Sequence, residues 1–232
     1  MPRAAAPGDS FQWSTPLPRR FYARGAAEVA PALLGCVLVR QLPDQPGMPL
    51  LAGRIVETEA YVGESDRASH AHAGKTARNA VMYGPPGHAY VYFIYGVYDM
   101  MNVVCNAAGI PEAVLVRALE PLHELETMRM LRPARRDRDL ASGPGKLCRA
   151  LAITRTLNGA DLCAPPLWIA SGHPASGERI RRGPRIGVDY AGADATRPLR
   201  FYLEPNSHVS RVPGPGGTRA RASASNRGTR AR

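Results

Sequence analysis

Residues 54–63 read Arg54-Ile-Val-Glu-Thr-Glu-Ala-Tyr-Val-Gly63, and this stretch decides how the chain is organised. Its β-branched and aromatic residues favour a strand over Leu51–Tyr61. A period of two puts Val56, Thr58 and Ala60 on one face, with Ile55, Glu57, Glu59 and Tyr61 on the other. Two acids and a tyrosine on one face admit two readings. In the first, the segment is an edge strand whose polar face meets solvent. In the second, a carboxylate stands at the mouth of a cleft and acts as a general base toward water. Glu57 and Glu59 lie on the same side of one strand, so they cannot flank a sugar as the paired carboxyls of a glycosidase do. One working carboxylate fits this spacing.

Working outward, Cys36–Leu42 reads as a second strand, joined to the first through the turn residues of Pro43–Pro49 as a hairpin. A short helix is expected over Ala26–Leu34. Glu64–Pro86 has little periodicity and reads as a long loop with one helical turn, a length that usually serves function. Tyr90–Cys105 is an apolar, aromatic run broken at Tyr95-Gly96, where a hairpin would turn. Glu112–Leu119 is a further strand and Leu122–Leu131 an amphipathic helix. Ser142 is placed to N-cap a helix running to Ala152. Short strands are expected at Leu167–Ala170, Arg185–Val188 and Leu199–Leu203. Strands and helices mixed without regular alternation indicate a single α+β domain. It spans 16–211, between a flexible arm at 1–15 and a disordered basic tail at 212–232.

The chain has 232 residues, with 30 Lys and Arg against 19 acids. Residues 212–232 hold five arginines and no acid, so the net charge of +11 less those five leaves +6 for the rest. A body of that charge suits a polyanion such as nucleic acid. Six of the nine tyrosines, Tyr61, Tyr83, Tyr90, Tyr92, Tyr95 and Tyr98, fall between positions 61 and 98. Tyr90 and Tyr92 share one face of a strand, Val91 and Phe93 the other; Phe93 and Ile94 read as core, whereas a tyrosine at a turn does not. Stacked tyrosines hold bases. The four cysteines are widely spaced and form no C-x-x-C pair, so reduced thiols are expected rather than a zinc site. No His cluster of metal-ligand spacing occurs. Gly143-Pro-Gly-Lys146 fails as a phosphate loop because Leu147 replaces the required Ser or Thr. No apolar run reaches membrane length, and no secretory signal is seen, so a soluble cytoplasmic protein is expected.

Together the segments RIVETEAY (54–61), SHA (69–71), ARN (77–79), PPGHAYVYFIYGVYDMMN (85–102), VLVRALEPL (114–122), SGPGKLCRAL (142–151) and RPLRFY (197–202) resemble the alkyladenine (3-methyladenine) DNA glycosylase family. The likeness runs from Phe21 to Val212. It implies a curved, mostly antiparallel sheet with flanking helices and a protruding β-hairpin. It also implies that Glu59 activates water for attack on the anomeric carbon of a flipped nucleotide, with Arg117 and the Ile186 carbonyl holding that water. By the same resemblance Tyr61, His70 and Tyr92 sandwich the extruded base, Tyr95 wedges into the duplex, and Asn102 screens the minor-groove edge of the purine. The implied partner is double-stranded DNA carrying alkylated or deaminated purines, met by a monomer associated with the nucleoid. The product is an abasic site, and neither metal nor cofactor is needed.

A purine alkylated on N3 or N7 is cationic and leaves readily, so one base suffices for this chemistry. Cationic bases also gain from tyrosine faces. No lysine is among the residues assigned to the pocket, which argues against a Schiff-base mechanism. A non-catalytic single-stranded nucleic-acid binder explains charge and aromatics but leaves the Glu59 segment without a role. A hydrolase of free nucleosides leaves the turn tyrosine and the charge unexplained.

Overall fold

Alternating apolar residues and turn formers divide residues 12–210, which the computed structural model describes, into nine strands and four short α-helices. In chain order these are α1 (Arg19–Tyr22), α2 (Ala26–Ala32), β1 (Val37–Gln41), β2 (Leu50–Val62), β3 (Ala89–Ile94), β4 (Tyr98–Cys105) and β5 (Glu112–His123), then α3 (Leu125–Leu131), α4 (Pro144–Ala150), β6 (Cys163–Ala164), β7 (Leu167–Ala170), β8 (Arg179–Gly183) and β9 (Arg200–Glu204). Residues 1–11 and the expected basic tail lie outside the described residues. No helix among the described residues is long and apolar enough to cross a membrane.

Every strand pairing is antiparallel, in the order β3-β4-β5-β2-β1-β7-β6, and the sheet curls; this is the α+β fold that the sequence indicated. β2 lies at the centre. β5 runs along one edge of it, while β1 covers Leu50–Arg54 on the other edge and β9 covers Glu57–Glu59. An edge strand with a solvated polar face is therefore excluded: Glu57 and Glu59 are both completely buried. Ile55, expected beside them, packs into the main apolar core together with Val56. Register shifts between Ile55 and Thr58 break the simple alternation there.

α2 lies against β2. Its first free amide, Ala26 N–H, donates to the Glu112 carboxylate at 2.6 Å, which meets an unpaired donor at the helix start. Its Ala30 carbonyl accepts from the Thr58 hydroxyl at 2.8 Å across the interface. Leu33, Leu38, Leu51, Ile55 and Leu119 are fully buried in this layer. Truncating any one of them to Ala should cost about 2–5 kcal/mol.

Four local expectations are corrected. Helix α4 starts from Gly143, not Ser142, and has no side-chain cap; the Ser142 hydroxyl instead lies 3.4 Å from Lys146 Nζ. The segment Arg185–Val188 is not a strand, because Pro184 ends the ladder and the Arg185 side chain is drawn inward. Its place is taken by β8. The helix expected from Leu122 begins only at Leu125, since β5 continues to His123. Phe93 and Ile94 are not core: both are partly exposed, with Phe93 under the Arg155 guanidinium at 4.1 Å and Ile94 lining a cavity.

Candidate active site

The register shifts in β2 and β5 carry Arg117 out of direct pairing, so that its guanidinium reaches two carboxylates. Arg117 Nε donates to Glu57 Oε1 at 3.1 Å, and Arg117 Nη1 donates to Glu59 Oε2 at 3.2 Å. The two acids differ in everything else. Glu57 also accepts from Arg200 Nε at 2.7 Å, Ser210 N–H at 2.7 Å and Ser210 Oγ at 2.9 Å. Glu59 accepts from the Tyr61 hydroxyl at 2.9 Å and from the backbone N–H of Ile186 at 2.7 Å.

Those three partners of Glu59, Tyr61, Arg117 and Ile186, all line one cavity of about 230 Å³. Burial pushes the Glu59 carboxyl above the ordinary range, against the pull of Arg117, the Ile186 amide and the Tyr61 hydroxyl. Burial disfavours a charged Arg117, but Glu59 and Glu57 outweigh it and hold the guanidinium protonated. Tyr61 is pushed well up by burial and by Glu59, so its hydroxyl stays a donor.

The other walls combine aromatic rings with aliphatic side chains such as Met82, Met100 and Leu115. Tyr92 and Tyr90 come from one face of β3, and His70 comes from the long loop after β2. His70 Nδ1 pairs with the Tyr90 hydroxyl at 2.9 Å, and burial with the nearby Arg78 charge lowers its pKa to about 4. It is neutral at physiological pH. His70 and Tyr92 meet edge to face with centroids 4.4 Å apart. No slot for a base exists between these two rings, since stacking on both sides needs about 7 Å. Guanidinium groups already lie over two of the tyrosines, Arg185 at 4.8 Å from Tyr61 and Arg78 at 5.4 Å from Tyr92. That competes with the cation–π gain expected for a positively charged base.

Tyr95 is 79% exposed at the tip of the β3–β4 hairpin. Val97 N–H closes the turn on the Ile94 carbonyl, and both Tyr95 and Gly96 have positive φ (56° and 68°). Glycine tolerates this conformation; for a tyrosine it costs about 1–2 kcal/mol. Such strain in an exposed aromatic at a cavity rim points to function rather than stability. Asn102 lines the cavity while its amide donates to the Tyr90 carbonyl at 3.1 Å, so it is both a wall residue and a backbone brace. All eight residues singled out from the sequence thus gather at one place: seven line the cavity, and Glu59 sits directly behind.

The sequence did not point to the residues that hold the loops. Buried Asp66 and Arg185 pair through two bonds, one of 2.8 Å, and Arg185 also bonds the Ala60 carbonyl at 3.0 Å. This ties the Ile186 loop to β2 and brings its amide to Glu59. Asn79, the last residue of the ARN segment, donates to the carbonyls of His70 and Gly74 at 2.8 and 2.9 Å and so closes the His70 loop. Tyr190, 69% exposed, lines the cavity with its hydroxyl on the Ala68 carbonyl. Local sequence carries no signal for the bonds of Ser210 to Glu57 or of Asp66 to Arg185, whose partners lie more than a hundred residues away.

The model of the methylpurine-DNA glycosylase family matches residues 20–207. A protein of Methanocella arvoryzae is 57% identical over 201 residues, covering 85% of this chain and 98% of its own length. Proteins of Streptomyces avermitilis and Myxococcus xanthus are each 48% identical over 200 residues, covering 84% and 86% of this chain and 91% and 96% of theirs. All three bear the name "Putative 3-methyladenine DNA glycosylase". By the extent of the family match and these identities, the chain belongs to the methylpurine-DNA glycosylase family.

Proposed function

We propose that the chain is a monofunctional DNA-3-methyladenine glycosylase that draws alkylated or deaminated purines out of duplex DNA and hydrolyses the N-glycosidic bond. The observation that carries this reading is Glu59: a carboxylate sealed from solvent whose three hydrogen-bond partners all line an aromatic cavity.

In the proposed step Glu59 takes a proton from water held near Arg117 and the Ile186 carbonyl. The water oxygen bonds to C1′ as the bond from C1′ to the purine nitrogen breaks, and the bonding pair leaves with the base. A base alkylated on N3 or N7 departs neutral. The raised pKa of Glu59 suits this work, because a carboxylate in a dry site is a stronger base than one in water. Tyr61, His70 and Tyr92 form the walls for the extruded base. Since His70 and Tyr92 touch, the purine lies against that pair as a unit or parts the two rings. Tyr95, exposed at the hairpin tip, fills the gap left in the base stack. Asn102 screens the minor-groove edge, where guanine alone carries a 2-amino donor. The basic charge supports binding to the DNA backbone and association with the nucleoid, as a monomer with double-stranded DNA as partner.

A base-release assay over duplexes carrying 3-methyladenine, 7-methylguanine, hypoxanthine or ethenoadenine tests the reading. Release of free base, leaving an uncut strand with an abasic site, is expected from at least one. Binding to single strands with no release from any duplex would favour the non-catalytic alternative.

A further inference from the structure

Behind the cavity, four charged side chains form a buried cluster. Glu57 and Glu59 are 0% exposed, Arg117 is 7% and Arg200 is 6%. Two carboxylates meet two guanidinium groups, so the cluster is neutral when all four are ionised. Arg117 is shared: one end is held by Glu57 and the other by Glu59. Glu57 is fully buried, and its bonds run to Arg117 on β5, Arg200 on β9 and Ser210 beyond it. A buried carboxylate is costly unless it is paired. Apolar side chains of similar volume often stabilise such a site equally well or better. A fully satisfied cage one residue-pair behind the candidate base calls for another explanation.

We propose that Glu57 is a positioning residue for the reaction: it fixes Arg117 through Nε so that the other end of that guanidinium is delivered to Glu59, and its charge, set against Arg200, sets the field in which Glu59 works as a base. The inference rests on the proposed function above. The groups that face Glu59 are Tyr61 and Glu57 on β2, Arg117 on β5, Tyr92 on β3 and Arg185 with the Ile186 amide on the loop after β8; Arg200 on β9 acts through Glu57. Glu57 adds to the upward push on the Glu59 carboxyl, and Arg117 opposes it.

Charge and geometry give two variants opposite signatures. Glu57→Gln removes a negative charge beside Glu59 and leaves Arg117 to Glu59 alone. The acid limb of the pH profile of kcat/KM should move down by about one unit. The weaker base and looser Arg117 should lower the plateau of single-turnover base release about tenfold or more, with lesion-DNA binding unchanged. Arg200→Gln leaves Glu57 under-neutralised, draws Arg117 toward it and should move the limb up. Glu57→Asp keeps the charge and should return the limb to the wild-type position even where the plateau stays low. A purely structural cage would lower melting temperature and active fraction in all three and leave the limb fixed.

The experiment measures base release from alkylated duplex against pH for the wild type, these variants and Glu59→Gln. Opposite shifts for Glu57→Gln and Arg200→Gln support the proposal. Coincident limbs in a wild type that is active and a Glu59→Gln that is dead overturn this inference and leave the function standing. A wild type that releases no base from any lesion overturns both. Where Glu57→Gln does not fold, Arg200→Gln and Ser210→Ala, which removes one donor from Glu57, are read in its place. Each should move the limb upward, and an unmoved limb in both overturns the proposal.

Discussion

Glu57 and Glu59 are the same residue type, two positions apart on one strand, equally buried and sharing one arginine, yet their surroundings lead in opposite directions. Around Glu57 the contacts join β5, β9 and the end of the described chain, and two of its partners, Arg117 and Ser210, line a second cavity that has no aromatic wall. Around Glu59 every partner of its side chain lines a cavity whose walls include His70 and four further tyrosines beside aliphatic residues. Burial therefore does not mark a carboxylate as functional. What sets the two apart is the cavity their partners face.

The largest effect that could break this contrast belongs to Arg117, which serves both regions. Arg117→Ala leaves two buried carboxylates without their shared partner and should cost about 3–5 kcal/mol of stability, together with base release. The denaturant midpoint measures the first. A midpoint close to wild type would mean that the cage and the site are not linked through this residue.

Next is the pH dependence of the pocket region. Glu59 must be ionised to take a proton, and burial raises its pKa, so kcat/KM should fall toward low pH through a limb above the ordinary carboxylate range. His70, lowered to about 4, should add no limb near its ordinary value of about 6.5. A limb there that disappears in His70→Ala would show that the histidine titrates in function.

Tyr95→Ala touches neither carboxylate. Losing one stacking aromatic is worth about 1–3 kcal/mol, so release from paired lesions should fall about five-fold or more, while a lesion already unpaired in a bulge is spared. Equal losses on both substrates would remove the wedge role. The smallest effect is expected of Asn102→Ser, which gives up the bond to the Tyr90 carbonyl at about 1 kcal/mol. It should raise the ratio of 7-methylguanine to hypoxanthine excision a few-fold, at roughly 1 kcal/mol per interaction lost. An unchanged ratio in a folded variant would leave Asn102 a brace alone.

How much of this the sequence held follows from the range of the interactions. The strand at β2, its hairpin with β1 and the turn at Tyr95-Gly96 are set by local alternation and turn chemistry, and they are where periodicity put them. The eight candidate residues were legible because their segments carry a family likeness, not because spacing alone assigns a base. Burial of Glu57 was not legible: it depends on β9, whose Tyr202 pairs with it from 145 positions further on. The bond between Arg185 and Asp66 was hidden for the same reason, and its inward pull turned an expected strand into a loop. Ser142 misled because a good capping residue beside Gly-Pro is outweighed by a glycine at φ 157° and a proline at the first helical position.

The central claim is that Glu59, and not its neighbour, performs the chemistry. Single-turnover release of base from a lesion-containing duplex, measured beside binding of the same duplex, tests it in Glu59→Gln. The variant keeps the size of the side chain and its bond from the Ile186 amide but cannot take a proton from water. Binding should be retained while base release falls by about 10²-fold or more. Near-normal release by a folded Glu59→Gln would contradict the account.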